Sequence, residues 1–116
     1  MLASVGVCLF ASIFVNDTLD CMIDMRHDAM TRVENVDNAE AEAIVVNMLS
    51  LINERSKVLE MLIQHDDLHD MVMQLTDAKV SLSINDMDDF EKALSLFYEN
   101  LEHIRAHEKV SLSNIL

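Results

Sequence analysis

Residues 87–105 read MDDFEKALSLFYENLEHIR, and this stretch decides the fold class of the chain. Apolar residues recur in it at alternating intervals of three and four, at Met87, Phe90, Leu94, Phe97, Leu101 and Ile104. This spacing places about one apolar side chain per helical turn on a single face. Acids gather at the start of the stretch, while Arg105 and Lys109 follow at its end, an order that the helix dipole favours. The stretch therefore predicts an amphipathic helix.

The rest of the chain gives the same indication, because its 116 residues include no proline and one glycine. These two residue types supply most of the turns that strands and hairpins need. Aromatic residues make up only 4% of the chain, and methionine occurs nine times. We therefore predict an all-α fold without a sheet. Residues 1–116 are expected to form a single all-helical domain, a compact bundle of four to six helices with an aliphatic and methionine core.

The first segment, residues 1–15, carries no charged side chain. It lacks the basic start of a signal peptide, and Asn16 and Asp17 interrupt it before the roughly 20 apolar residues that a transmembrane helix needs. We expect no transmembrane span. Residues 2–14 should instead form an apolar central helix, buried in the core or by a partner. Asp17 is expected to cap the helix that follows.

Two further breaks are expected downstream. Asn38 should cap a long segment, residues 38–78. An unbroken helix of this length would exceed a compact domain, so the segment either protrudes as a coiled-coil arm or breaks. Its predicted breaks are residues 53–56 or the pair Asp66 and Asp67, where Asp67 can cap the next helix. Residues 79–85 combine serines with β-branched residues and are predicted to be a loop.

The formal net charge of −13 disfavours nucleic acid and anionic membranes as direct partners, since both require basic patches. Asp17, Asp20, Asp24 and Asp28 follow one another at helical spacing and form an acidic face. The first interpretation of this face is a solvated surface. The alternative is an acidic nucleic-acid mimic that blocks a basic DNA- or RNA-binding protein.

Four of the five histidines form two pairs at i and i+4, His65 with His69 and His103 with His107. Residues at this spacing share a helix face, so each pair could hold one metal ion. The arrangement resembles the histidine-rich four-helix bundles that hold a di-iron site, and that resemblance implies a metal-binding protein. The sequence lacks the Glu-x-x-His motif of those bundles. We therefore expect no cofactor, and a metal-binding bundle remains the alternative.

Nothing in the sequence indicates an enzyme. The chain has no glycine-rich phosphate loop and no nucleophile elbow. Cys8 lies among apolar residues, which do not activate a thiol. Cys8 and Cys21 match no zinc motif and are too few for a disulfide framework, which favours reduced thiols and a cytoplasmic location.

The most plausible function is therefore non-enzymatic protein–protein interaction, by an adaptor, an inhibitor or a homodimeric modulator. Methionine-rich helical surfaces can adapt to different partners. The binding surface is expected to be apolar and to contain methionine. Its predicted residues are Phe90, Leu94, Phe97, Leu101, Met71 and Met73.

Overall fold

The computed structural model describes the backbone of residues 2–115. It also describes the solvent exposure of Gly6 and of residues 9–107. It contains four α-helices: α1 (Leu2–Glu34), α2 (Asn38–Leu62), α3 (His65–Ser83) and α4 (Met87–Ile115). Within this range no strand occurs. The predictions of an all-α fold, of four to six helices and of no sheet are confirmed.

The four helices form an elongated bundle. Each helix packs against its neighbour in the chain, and α4 closes the bundle by packing against α1. Among the described residues, α1 does not contact α3, and α2 does not contact α4. The helices thus occupy the corners of a square, with principal extents of 53 × 21 × 20 Å. Loops of two or three residues connect them, as is usual between antiparallel neighbours.

The core runs along the centre of this square. The apolar residues of α4 that recur at intervals of three and four lie inside it, where α3 and α1 cover them. Aliphatic and methionine side chains from the other helices meet this row. The largest fully buried side chains are Phe90, Phe97, Leu19, Met22, Met48, Ile52, Leu59, Met71, Leu75, Leu94, Leu101 and Val15.

Helix α1 is continuous, so the break predicted near Asp17 is wrong. The helix runs from Leu2 to Glu34 without interruption. The polar residues at the expected break find partners within the helix. Thr18 is buried, and its hydroxyl donates a hydrogen bond to the carbonyl of Phe14 at 3.0 Å. Asn16 donates to the hydroxyl of Ser12 at 3.4 Å. These local bonds satisfy polar groups that would otherwise favour a helix end.

The turn between α1 and α2 is a Schellman motif. The N–H of Asp37 donates to the carbonyl of Arg32 at 2.8 Å, and Val36 has a φ of 61°. A left-handed residue normally occupies this position, but it is usually glycine or asparagine. The carboxylate of Asp37 then accepts from the N–H of Glu40 at 3.3 Å. Asp37, rather than the predicted Asn38, therefore caps α2.

The long segment does break, but not where the sequence indicated. Helix α2 continues through residues 53–56 and ends at Leu62. Ile63 is extended, and Gln64 precedes α3 without a side-chain cap. The predicted cap at Asp67 is therefore wrong. Because Ile63 is buried, packing rather than capping sets the position of this break.

The predicted loop at residues 79–85 is also wrong over most of its length. Helix α3 extends to Ser83, and only residues 84–86 connect it to α4. This connection repeats the Schellman geometry: Asn85 has a φ of 58°, and the N–H of Asp86 donates to the carbonyl of Ser81 at 2.8 Å. The carboxylate of Asp86 accepts from the N–H of Asp89 at 3.1 Å and so caps α4.

The expected apolar central helix is not confirmed at the start of α1. Phe10 and Ile13 are 69% and 68% exposed, and Leu9 and Gly6 are exposed as well. The side chains of residues 1–5, 7 and 8 lie outside the described set. Burial begins at Val15. Over the described part of the chain, none of the helices combines the length and the apolar character that crossing a membrane requires.

Candidate functional site

Most of the predicted partner-binding residues lie in the interior. Phe90, Leu94, Phe97 and Leu101 form the inner face of α4, and Met71 faces them from α3 with no exposed surface. Their assignment to a binding surface is corrected, because the chain's own helices cover them. Of the predicted set, only Met73 remains on the surface, where it is half exposed.

Met73 belongs to a row on the outward face of α3 that the sequence analysis missed. Val80 follows it at i+7 on the same helix face, and Ile84, the first residue after α3, extends the row. Leu96 of α4 is exposed next to this row. We refer to Met73, Val80, Ile84 and Leu96 as the α3–α4 apolar surface. Interpreting residues 79–85 as a loop concealed the helical spacing that could have identified it.

A groove of about 430 Å³ lies between α3 and α4 on this surface. Apolar side chains and charged side chains both contribute to its walls. The lining residues are Asp77, Val80, Ser81, Ile84, Asp89, Lys92, Ala93 and Leu96. Val80, Ile84 and Leu96 are 53%, 66% and 45% exposed, which leaves apolar area available for contact.

The polar side chains that line the groove are Asp77, Ser81, Asp89 and Lys92. The hydroxyl of Ser81 donates to the carbonyl of Asp77 at 2.8 Å, so its proton is already engaged within α3. The lining contains no histidine or cysteine. Asp77 and Asp89 contribute negative charge, and Lys92 contributes a single positive charge. Such a groove can receive apolar side chains and pair with nearby basic groups.

A second cavity, of about 260 Å³, lies between α2 and α3. Leu49, Ile52, Leu68 and Val72 form its apolar part. Its polar residues are Asn53, Ser56, Glu60, His65 and His69. The rings of His65 and His69 stack with centroids 6.5 Å apart and an interplanar angle of 19°.

The structure does not bring the two histidine pairs together. His65 and His69 line the cavity against α2, whereas His103 lies against α3, with its Nε2 4.0 Å from Asp67 Oδ1. Within the described residues, no three His, Cys, Asp or Glu side chains are placed to share a metal ion. Among these residues, the geometry offers no di-iron arrangement.

The acidic face lies on the outward side of α1, but arginines pair with most of it. Asp17 meets Arg55 of α2 at 3.4 Å, and Asp20 forms an ion pair with Arg105 of α4. A third pair joins Asp28 and Arg32 at 3.7 Å. Among the described ion pairs, none involves Asp24. These contacts reduce the charge that the face presents to a basic partner.

Two arginines attach α1 to its neighbours in a way that the sequence did not indicate. Arg26 donates from Nε to the carbonyl of Leu94 at 3.0 Å, and its guanidinium lies 4.8 Å from the centre of the Tyr98 ring. Arg55 donates to the Thr18 hydroxyl at 2.7 Å and lies over the ring of Phe14. Their binding capacity is therefore used within the chain.

The family assignment adds to this geometry. A family model described as a domain of unknown function, DUF4363, matches residues 9–115. The chain belongs to the DUF4363 family. No curated protein and no solved structure matches the chain. The matched DUF4363 region includes all of α2, α3 and α4, so the α3–α4 groove lies entirely within the family domain.

Proposed function

We propose that this DUF4363 protein is a non-enzymatic interaction module that binds an amphipathic helix of another protein in the α3–α4 groove. The observation that supports the proposal is that exposed apolar side chains and charged side chains line the same groove. Val80, Ile84 and Leu96 offer exposed apolar area, and Asp77 and Asp89 lie beside it. Helix-in-groove recognition uses apolar anchors on one helical face together with polar contacts at the rim.

The groove defines the chemistry of the partner. Its helix would carry apolar residues at i, i+3 or i+4 and i+7, with lysine or arginine placed to meet Asp77 or Asp89. Full burial of an aliphatic side chain contributes roughly 1.5–3 kcal/mol. Val80, Ile84 and Leu96 are each about half exposed, so together they contribute roughly 2–4 kcal/mol before the cost of association. We therefore expect a moderate affinity that apolar contact dominates.

The experiment is a selection of displayed helical peptides against the wild-type protein. We expect the enriched peptides to carry the apolar pattern and flanking basic residues. Their binding should fall at least about ten-fold in the variants Val80→Glu and Leu96→Glu, because each places a charge among the apolar side chains that line the groove. Val46→Glu is the matched control, since Val46 is an exposed valine on α2, outside the groove.

Helix content and unfolding midpoint must be measured for all three variants. Peptides that bind Val80→Glu and Leu96→Glu as tightly as the wild type would contradict the groove as the binding site. Equal losses in Val46→Glu would mean that the losses do not depend on the groove, which would also contradict the proposal.

The proposal includes a reducing, intracellular setting. Cys21 is a free, half-buried thiol, and its Sγ lies 3.9 Å from Met25 Sδ. The nucleic-acid mimic is a weaker candidate, because Arg55, Arg105 and Arg32 already pair with three of the four acids on the face that it would use.

A further inference from the structure

The outward face of α1 changes character along its length. Its first described part is apolar, with Gly6, Leu9, Phe10 and Ile13 all exposed. We call these four residues the α1 apolar row. From Asp17 onward, the same outward side carries the acidic face, whose residues are also exposed. No helix of the described bundle covers either part.

The described part of the structure gives no reason for a glycine at position 6. A glycine inside a helix costs about 1 kcal/mol relative to alanine. Gly6 does not have a positive φ, and a Cβ added to it would meet nothing within 4 Å. Neither backbone conformation nor packing against the described residues therefore requires a glycine. A missing side chain on an outward helix face allows another helix to approach closely.

We propose that the α1 apolar row pairs with the same row of a second copy, with the two α1 helices antiparallel. The row has the spacing i, i+3, i+4, i+7, which is unchanged when its direction is reversed. In the antiparallel pair Gly6 lies opposite Ile13 of the second copy, and Leu9 lies opposite Phe10. A small residue then faces a large one at both ends, because a two-fold axis repeats each contact.

Charge selects the antiparallel orientation. Asp17 lies about one turn beyond Ile13, so parallel helices would place the two acidic faces side by side. Each chain carries a formal charge of −13, and like charges at an interface oppose binding. In the antiparallel pair the acidic faces extend in opposite directions, away from the contact. The two elongated bundles overlap at one end only, which keeps most of their charge apart.

The available area sets the strength of the pairing. Stable interfaces bury about 800 Å² on each partner. Three partly exposed side chains and a glycine provide less than this. We therefore expect a weak dimer with a dissociation constant on the order of tens of micromolar or higher.

Sedimentation velocity over a range of protein concentrations tests the pairing. The wild type should show a concentration-dependent dimer. Phe10→Glu, Ile13→Glu and Gly6→Leu should each weaken it at least about ten-fold. Gly6→Leu is informative because a Cβ at this position meets nothing within 4 Å in the monomer. Val46→Glu adds the same charge elsewhere and should leave the dimer unchanged. A wild-type protein that stays monomeric, or a dimer that Val46→Glu weakens equally, would overturn the proposal.

Spin labels on the acidic face test the orientation. The labelled variant is Asp24→Cys, with Cys8 and Cys21 replaced by alanine. The antiparallel register separates the two labelled positions by about 44 Å, from the helical rise of 1.5 Å per residue. Parallel helices would bring them near the usual interaxial distance of about 8–10 Å. A short distance distribution would overturn the proposed orientation.

Salt and lipid distinguish this pairing from other occupants of the row. Between about 0.1 M and about 1 M salt, the screening length falls from about 10 Å to about 3 Å. The dimer should become tighter over this range because repulsion between the two acidic chains weakens. A complex with a basic partner would weaken instead.

Phosphatidylcholine vesicles are the lipid probe. Vesicle binding that Phe10→Glu abolishes, in a protein that shows no dimer, would overturn the proposal in favour of a lipid surface.

The groove variants keep the two proposals separate. Val80→Glu should leave the dimer intact while it abolishes peptide binding, and Phe10→Glu should do the reverse. The self-pairing of α1 therefore does not depend on the proposed function of the groove.

Discussion

Replacement of Val36 by asparagine is expected to stabilise the protein. Val36 occupies the left-handed position of the Schellman turn between α1 and α2, with a φ of 61°. This conformation costs an L-residue roughly 1–2 kcal/mol, and it is least suitable for β-branched residues. Asparagine tolerates it much better. Asn85, with a φ of 58°, fills the equivalent position between α3 and α4.

The magnitude follows from strain and burial. Val36 is 84% exposed, so its replacement forfeits less than about 0.5 kcal/mol of apolar burial. Relief of about 1–2 kcal/mol of strain then leaves a net gain of roughly 1 kcal/mol. For a domain of this size, that gain corresponds to a rise in the unfolding temperature of roughly 3–5 °C. Glycine should help less, because it also adds entropy to the unfolded chain.

Urea denaturation followed by circular dichroism provides the measurement, at one fixed protein concentration so that self-association does not contribute. The matched control is Asn85→Val, which introduces the same strain at the equivalent turn and should destabilise by roughly 1–2 kcal/mol. An unchanged or lower midpoint for Val36→Asn, together with a neutral Asn85→Val, would refute the assignment of strain to these turns.

Three further predictions concern the core, Arg26 and the acidic face. Phe97→Ala should lower the free energy of unfolding by roughly 3–5 kcal/mol, because Phe97 is fully buried; a loss below about 1 kcal/mol in urea denaturation would argue against its place in the core. Arg26→Met should lower the free energy of unfolding by roughly 1–2 kcal/mol in the same assay, because it removes the hydrogen bond to the Leu94 carbonyl and the contact with Tyr98. The control Lys57→Met removes an equal charge and should leave this free energy nearly unchanged. Simultaneous replacement of Asp17, Asp20, Asp24 and Asp28 by asparagine should leave the affinity of the groove for its peptide within a few-fold of the wild type, because exposed charges contribute only about 0–1 kcal/mol each. A binding titration measures this affinity. If the variant no longer binds a selected partner, the result would favour the nucleic-acid mimic.

The sequence predicted the fold class because its strongest signal was periodic. The row in α4 has the period of a helix, and each of its members after Met87 is buried as that period requires. Helix ends were less predictable. Thr18 and Asn16 resemble a helix boundary in sequence, yet they form bonds inside α1. Val36 is an unusual residue for the position that ends α1, so propensity could not identify it.

The candidate site was harder to predict for a different reason. A row of apolar residues in a sequence indicates that these side chains are buried. It does not indicate whether another helix of the same chain or a partner protein buries them. For Phe90 and Phe97 the cover is α3 and α1, and for Met73 there is none in the described bundle. The pairing of Asp17 with Arg55 and of Asp20 with Arg105 joins residues far apart in the chain, and no local pattern encodes such contacts.

The square arrangement has a consequence for how the chain folds. The chain forms two helical hairpins, α1–α2 and α3–α4, and each closes through a short Schellman turn. Most contacts between helices lie within one of these hairpins. Only the α2–α3 and α1–α4 contacts join one hairpin to the other. Such low contact order is typical of fast folding, and we expect each hairpin to form before the two dock. Stopped-flow refolding should then show that Asn85→Val slows folding, whereas Arg26→Met mainly accelerates unfolding. The opposite pattern would mean that α1 and α4 meet early in folding.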